Sequence, residues 1–364
     1  MDLQDLREAV SNSLDVSKRH LNDLFDSTKK LVQRTRTIKE SKPQVQEKEI
    51  NKFLYTPDEL PIFGKEYWFL LFTGTGPTFK DQLMASFGRN NNNSMQINNI
   101  PQFKDTNDYY GGIGETWFYQ NGNTMKFGKL GGKIKPSDKQ ISFETDEYTI
   151  RLSGEYPNYQ VDIFNGPEIV VNLTTRMPKY GDSLEFFSIE RANLGVEIGN
   201  VYLDYDGTMD GKHFEGRCYM QKVIMSAPFI PWYWGRFVFS NGSVLVFFLL
   251  WVDLPGIDRT IYSQAKFYDT DTKSYRVISN FEVRNIEGTD YWEVAHHSKN
   301  STMFVLLKVY TNNVFEMRSK GEFRYNETFS EIREIYIEYE GKVYDNDWFG
   351  EGSGSLEQAT GMAF

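Results

Sequence analysis

The segment Trp232-Tyr233-Trp234-Gly235-Arg236-Phe237-Val238-Phe239-Ser240-Asn241-Gly242-Ser243-Val244-Leu245-Val246-Phe247-Phe248 constrains the fold of this chain most. It reads as two strands about a tight Asn241-Gly242 turn, because Asn and Gly tolerate the positive φ of a two-residue type I′ hairpin. Side chains alternate along a strand, so Trp232, Trp234 and Arg236 share one face. A guanidinium beside two indoles is out of place in a solid apolar core. The hairpin therefore predicts a lined cavity with a polar device in its wall.

The rest of the composition agrees with sheets. Aromatic residues make up 16% of the chain, with 28 Phe and 22 Tyr, and flat rings pack well on pleated surfaces. A formal net charge of −10 argues against nucleic acid as a partner, since phosphate binding needs a basic face. It also suits anionic membrane surfaces poorly. The longest apolar run, Val244 to Val252, is of buried-strand length, far short of the roughly 18 residues that span a bilayer, so no stable membrane insertion is expected. The lone cysteine, Cys218, excludes an intrachain disulfide and a cysteine-based zinc site. The opening Met1-Asp2-Leu3-Gln4-Asp5-Leu6 lacks the basic-then-apolar pattern of a secretory leader. The five sequons, at Asn92, Asn172, Asn241, Asn300 and Asn326, are then read as chance, and a cytoplasmic location is expected.

Residues 2–40 carry the only long helical pattern. Leu3, Val10, Leu24, Leu31 and Ile38 fall on one heptad seam, and Leu14 and Leu21 on its companion. Such a stripe docks on the chain's own β-structure or on a second copy, giving a homodimer through this helix. A polar stretch around Pro43 reads as a linker. From about residue 53 the texture changes to short alternating segments, such as Glu66 to Phe72, Phe214 to Val223 and Glu334 to Tyr339, broken by Gly, Asn and Asp. That spacing implies sandwiches or barrels. Tyr67-Trp68-Phe69 and Trp232-Tyr233-Trp234 each open an aromatic strand followed by a turn and an apolar strand. The expected class is all-β: two antiparallel β-barrels in tandem, at 53–226 and 227–364, behind a helical extension and linker at 1–52.

Few residues carry obvious chemistry. His296 and His297 are adjacent and would face opposite sides of a strand, so no metal site is expected. Cys218 reads as buried and inert. On its strand Arg217, Tyr219 and Gln221 line up toward one side, either a site or the solvent face of an edge strand. The glycine-rich run from Gly350 to Gly361 lacks the βαβ setting of a nucleotide site. It reads better as a closing strand that bends at its glycines and carries Glu357 inward. In an aromatic-lined barrel, desolvation would favour the protonated form of such a carboxyl, as suits a general acid near neutral pH. Pairing of Glu357 with Arg236 as structural glue is the alternative. Asp253, at a strand end before Leu254-Pro255-Gly256, either reaches a barrel mouth or begins a turn.

Three blocks of this sequence resemble the AttH and carotenoid 1,2-hydratase (hydroxyneurosporene synthase) group. The first is Glu66-Tyr67-Trp68-Phe69 with Leu83 to Arg89. The second is Gly216 to Val223 followed by Trp232-Tyr233-Trp234 and Asn241-Gly242. The third is Gly352-Ser353-Gly354-Ser355-Leu356-Glu357-Gln358-Ala359-Thr360-Gly361. Together they span about residues 60–364. The resemblance implies two lipocalin-like (calycin) barrels and an apolar ligand. The family's hydratases carry an Asp-His-Glu-Trp run in the central block, and Gln221 and Lys222 stand where that Asp and His would be. Neutral Gln221 cannot protonate an alkene, so the resemblance does not by itself imply a carotenoid hydratase.

The function expected is hydration, isomerisation or cyclisation of an apolar isoprenoid or polyketide-like molecule, without a cofactor. Glu357 and, by position, Gln221 are the catalytic candidates. Trp68, Trp232 and Trp234 would form walls, Arg236, Gln221 and Tyr219 a polar end, and Asp253 a mouth. Two other readings use the same residues: a lipid or pigment carrier without chemistry, and a carbohydrate-binding or carbohydrate-active protein with Asp253 and Glu357 as its carboxylate pair.

Overall fold

The computed structural model describes residues 64–363, apart from 91–95, 102–103, 138, 192–193, 227–228, 255–256 and 320; the side chains of 128–130, 187–196, 226, 252–259 and 363 are likewise not described. The helical segment read at 1–52 lies outside the described residues. The first half forms β1 (Gly64–Gly74), β2 (Gln82–Asn90), the short β3 (Gln96–Ile97) and β4 (Ile100–Pro101), β5 (Tyr110–Gln120), β6 (Asn123–Ser137), β7 (Gln140–Glu144), β8 (Tyr148–Glu155), β9 (Asn158–Asn165), β10 (Glu168–Arg176), β11 (Leu184–Arg191), β12 (Leu194–Met209) and β13 (Lys212–Ser226). Ten of these run in the order β10-β9-β8-β7-β6-β5-β2-β1-β13-β12, and pairing of β10 with β12 closes them into an antiparallel barrel. Closure removes the exposed edges that a free sheet would present.

Alternation decides what fills this barrel. Trp68, Leu70 and Phe72 of β1 point inward with Leu83, Phe143, Cys218 and Met220. Among them sits a buried ion cluster: Glu66 lies 3.2 Å from Arg89 and 3.7 Å from Lys222, and the Lys222 ammonium lies 5.5 Å from the Trp68 ring centroid. Cys218 is fully enclosed, and burial pushes its thiol well above its ordinary range. It is inert at neutral pH.

The second half forms β14 (Trp232–Phe239), β15 (Val244–Leu254), β16 (Ile257–Asp269), β17 (Ser274–Ser279), β18 (Glu282–Asn285), β19 (Tyr291–His297), β20 (Ser301–Ser319), β21 (Gly321–Tyr339), β22 (Lys342–Asp345), a single helical turn α1 (Asn346–Phe349) and β23 (Gly352–Ala363). The antiparallel order is β17-β16-β15-β14-β23-β21-β20-β19-β18. Edge strands β17 and β18 are consecutive in the chain, and His296 of β19 contacts the Asn280 carbonyl between them at 3.1 Å. The sheet thus rolls round its own core of Phe237, Phe247, Phe267, Val305, Ile335 and Leu356. The described residues are nearly all β, a closed barrel followed by a rolled sheet. β3 crosses from the first half to pair with β20.

The hairpin between β14 and β15 departs from the type I′ expectation. Of Asn241 and Gly242 only Gly242 has positive φ, at 88°, and the loop is longer than two residues, with Val238 paired to Val244. The Asn241 side chain is otherwise engaged. Its Oδ1 accepts from the Ser243 amide at 2.8 Å, and its Nδ2 donates to the Trp348 carbonyl at 2.7 Å. An Asx turn anchored to α1 replaces the tight turn.

One buried carboxylate fixes the end of the rolled sheet. Asp269 is fully enclosed; Tyr344 donates its hydroxyl at 2.8 Å, the Asp271 amide donates at 3.0 Å, and Arg276 lies at 3.3 Å. Burial pushes this carboxyl up, but hydrogen bonds from Tyr344, Thr272 and Asp271 outweigh it and hold the pKa down at about 2. A pKa depressed on folding stabilises above the unfolded value near 4, and that stability is lost as pH falls toward 2. Asp269→Asn is expected to cost about 2 kcal/mol at pH 7 and almost nothing at pH 2. Urea titrations across that range read the difference; a cost independent of pH would refute the linkage.

Candidate active site between barrel and sheet

The same alternation that fills each core leaves a second face on β1, β5, β12, β13, β14, β21 and β23. These faces meet in an aromatic layer of Phe69, Trp117, Tyr202, Tyr219, Trp234 and Phe329. Trp117 stacks on Phe329 at 3.8 Å between centroids, Tyr219 on Trp234 at 5.4 Å, and Phe69 meets Trp234 edge-on at 5.8 Å. Beside this layer the two units stay apart and enclose a cleft of about 270 Å³. A smaller cavity of about 130 Å³ shares Tyr67, Phe69, Phe229, Trp232 and Tyr325 with it and adds Lys65, Glu115 and Glu327.

Glu357 lines the larger cleft and is 6% exposed. It faces the cleft between the units, not the interior of the rolled sheet, because its neighbour Leu356 takes the core side of β23. Gly354 lets β23 approach β14: a Cβ there would meet the Arg236 carbonyl at 1.9 Å. The Trp232 indole N–H donates to Glu357 at 3.3 Å, and the Tyr325 side chain hydrogen-bonds it as well. Directly opposite on β21 stands Glu327, 1% exposed, whose carboxylate accepts from the Trp117 indole at 3.1 Å. Directly paired residues hold their Cβ atoms about 5 Å apart, so two buried carboxyls share this wall. Burial, then the Glu357 charge, pushes the Tyr67 phenol well above its ordinary range. Burial does the same at Tyr219 and Tyr325. All three are hydrogen-bond donors at neutral pH.

The opposite end of the cleft is polar. Tyr219 donates its hydroxyl to Asn200 Oδ1 at 2.7 Å; the Gln221 amide donates to the Tyr219 oxygen at 2.7 Å and to Asn200 at 3.3 Å. Glu185 accepts from Tyr202 at 2.6 Å and Lys266 at 2.5 Å. Burial raises that carboxyl, but these bonds outweigh it and hold the group below the ordinary carboxylate range.

The structure thus brings Trp232, Trp234, Tyr219, Gln221 and Glu357 to one cleft. Arg236 does not line it: it is buried on the ring faces of Tyr202 and Tyr219 at 5.2 and 5.4 Å and is not paired with Glu357. Trp68 requires a correction. It is fully buried in the barrel core, and its neighbours Tyr67 and Phe69 line the cleft instead. Asp253 lies on β15, but its side chain is outside the described residues. The sequence candidates leave out, among others, Tyr67 and Tyr325 of the cleft and Lys65 and Glu327 of the smaller cavity. Tyr325 and Glu327 are readable, since Phe323, Tyr325, Glu327 and Phe329 alternate along β21 toward one face. Lys65 gives no such sign; only the fold shows that burial lowers its pKa to about 7. Among the described residues, only Asp206, His213 and Glu215 gather as metal-type ligands, on the exposed β12–β13 hairpin.

No family model matches the chain, and no curated protein matches it. Solved structures do. A putative AttH from Nitrosomonas europaea is 11% identical with a TM-score of 0.39, covering 85% of this chain and 95% of that one. CghA is 10% identical at TM-score 0.49, over 82% and 88%. Kievitone hydratase from Nectria haematococca is 10% identical at TM-score 0.49, over 87% and 94%. The likeness is one of fold.

Proposed function

We propose that this chain is a cofactor-independent enzyme that moves a proton on an apolar, isoprenoid or polyketide-like molecule held between barrel and sheet. The observation that carries the reading is Glu357: a buried carboxyl on an aromatic wall, oriented by the Trp232 indole and Tyr325. Affinity would come from burying apolar ligand surface, at roughly 25 cal/mol per Å² before ordering costs. In a hydration, protonated Glu357 gives its proton to one alkene carbon, water adds to the other, and the water's proton returns to the carboxylate. Isomerisation or cyclisation uses the same donor and acceptor without the water. The faces of Trp232 and Trp234 stabilise a developing cation. Gln221 is neutral, so its part is to hold Tyr219 and a polar ligand group, not to donate the proton.

Native mass spectrometry of the purified protein, then solvent extraction, is the direct test. A co-purifying apolar compound that is converted on incubation supports the proposal. A compound returned unchanged makes the protein a carrier, and capture of glycans but not of lipid extracts makes it a carbohydrate binder.

A further inference from the structure

Lys65 is 3% exposed and lines the smaller cavity, whose walls include Phe229, Trp232, Phe315 and Met317. Its place there follows from alternation. Trp68 and Leu70 of β1 turn into the barrel core, so Lys65, Tyr67 and Phe69 face the other way. The Lys65 Nζ lies 4.5 Å from the centroid of the Phe229 ring, so the amine head itself, and not only its stem, is at the cavity wall.

Rings and a thioether replace the water that would hydrate an ammonium. The Phe229 face favours the charged form weakly, but desolvation outweighs it and lowers the pKa to about 7. Near pH 7 an ordinary lysine is neutral in fewer than about one molecule in a thousand. Lys65 is neutral in a large share of molecules, and a neutral amine in an apolar cavity is a nucleophile toward a carbonyl carbon. The same cavity supplies the groups such a reaction uses. The Tyr67 and Tyr325 phenols, kept protonated by burial, can donate to a carbonyl oxygen. The buried Glu115 and Glu327 can offset the charge of an iminium.

We infer that the smaller cavity is a carbonyl site, in which the Lys65 amine forms an imine with a small aldehyde or ketone. The nitrogen adds to the carbonyl carbon, the C=O bond gives way to C=N, and both amine hydrogens leave with the carbonyl oxygen as water. The step needs no oxidant or reductant. It goes beyond the proton transfer proposed for Glu357 and does not depend on it.

The test treats the full chain at pH 6.5 with pentanal and sodium cyanoborohydride, which reduces an imine to a stable secondary amine. Intact mass follows the number of labels, and peptide mapping locates them. The wild type takes up one label in a fast phase, at Lys65, at least about tenfold faster than at exposed lysines. That advantage shrinks as pH rises from 6.5 to 9, because exposed lysines gain neutral amine about tenfold per unit while Lys65 levels off. Lys65→Met loses the fast phase and keeps the slow labelling of exposed lysines. Labelling of Lys65 no faster than that of exposed lysines overturns the inference, as does a fast phase that survives in Lys65→Met. Fast labelling by formaldehyde but not by pentanal also overturns it, since the amine is then reactive and the cavity admits no organic carbonyl compound.

Discussion

Glu357→Gln reduces turnover of the ligand by about 10²–10⁴-fold, the contribution of a positioned acid or base, while ligand capture stays within a few-fold of wild type. Gln keeps the shape and the acceptor oxygen that receives the Trp232 indole hydrogen bond, so the wall is preserved and only the transferable proton is lost. The effect therefore falls on kcat rather than KM. Glu327 sets a control. It lies directly across the ladder from Glu357, and like charges that close compete for one proton. Glu327→Gln removes that competition, so the pH profile of turnover shifts toward acid without the collapse expected for Glu357→Gln. Single-turnover and steady-state rates across pH decide it. Unimpaired turnover in Glu357→Gln would end its catalytic assignment, and an unshifted profile in Glu327→Gln would end the coupling.

Phe329→Ala is expected to cost about 3–5 kcal/mol, the usual range for a fully buried phenylalanine. Phe329 and Trp117 are both completely enclosed and stack at 3.8 Å. One belongs to the rolled sheet and the other to the barrel, so the deletion leaves a void where the two units are joined. Trp117 also donates to Glu327, and a loosened indole would misplace that carboxyl. Chemical denaturation should show the loss, and separation into two transitions if this stack couples the units. A cost under about 1 kcal/mol would mean the site collapses without consequence and the joint lies elsewhere.

Trp232, Trp234 and Arg236 were legible as one face because β alternation is a local rule that tertiary context rarely breaks. So were the opposed faces of Cys218 and Tyr219. The short, turn-punctuated segments announced an all-β chain before any pairing was known. What alternation cannot say is which face meets a core. Trp68 and Tyr233 hold the middle places of the two echoed aromatic triplets, and both point into their own cores, while Tyr67, Phe69, Trp232 and Trp234 face the cleft. Asn241-Gly242 likewise looked like a two-residue turn until the Asn241 amide was needed by α1.

The sequence by itself determined strand content, the period of each face and the residue types on it, because those follow from backbone geometry and local sterics. Only the tertiary structure decided that Glu357 stands across from Glu327, that Lys65 is buried beside Phe229 and that Arg236 lies against Tyr202 and Tyr219. Each of those meetings joins strands tens to hundreds of residues apart. Strand register and the docking of barrel on sheet arise from summed packing over the whole interface, and no local pattern encodes that sum.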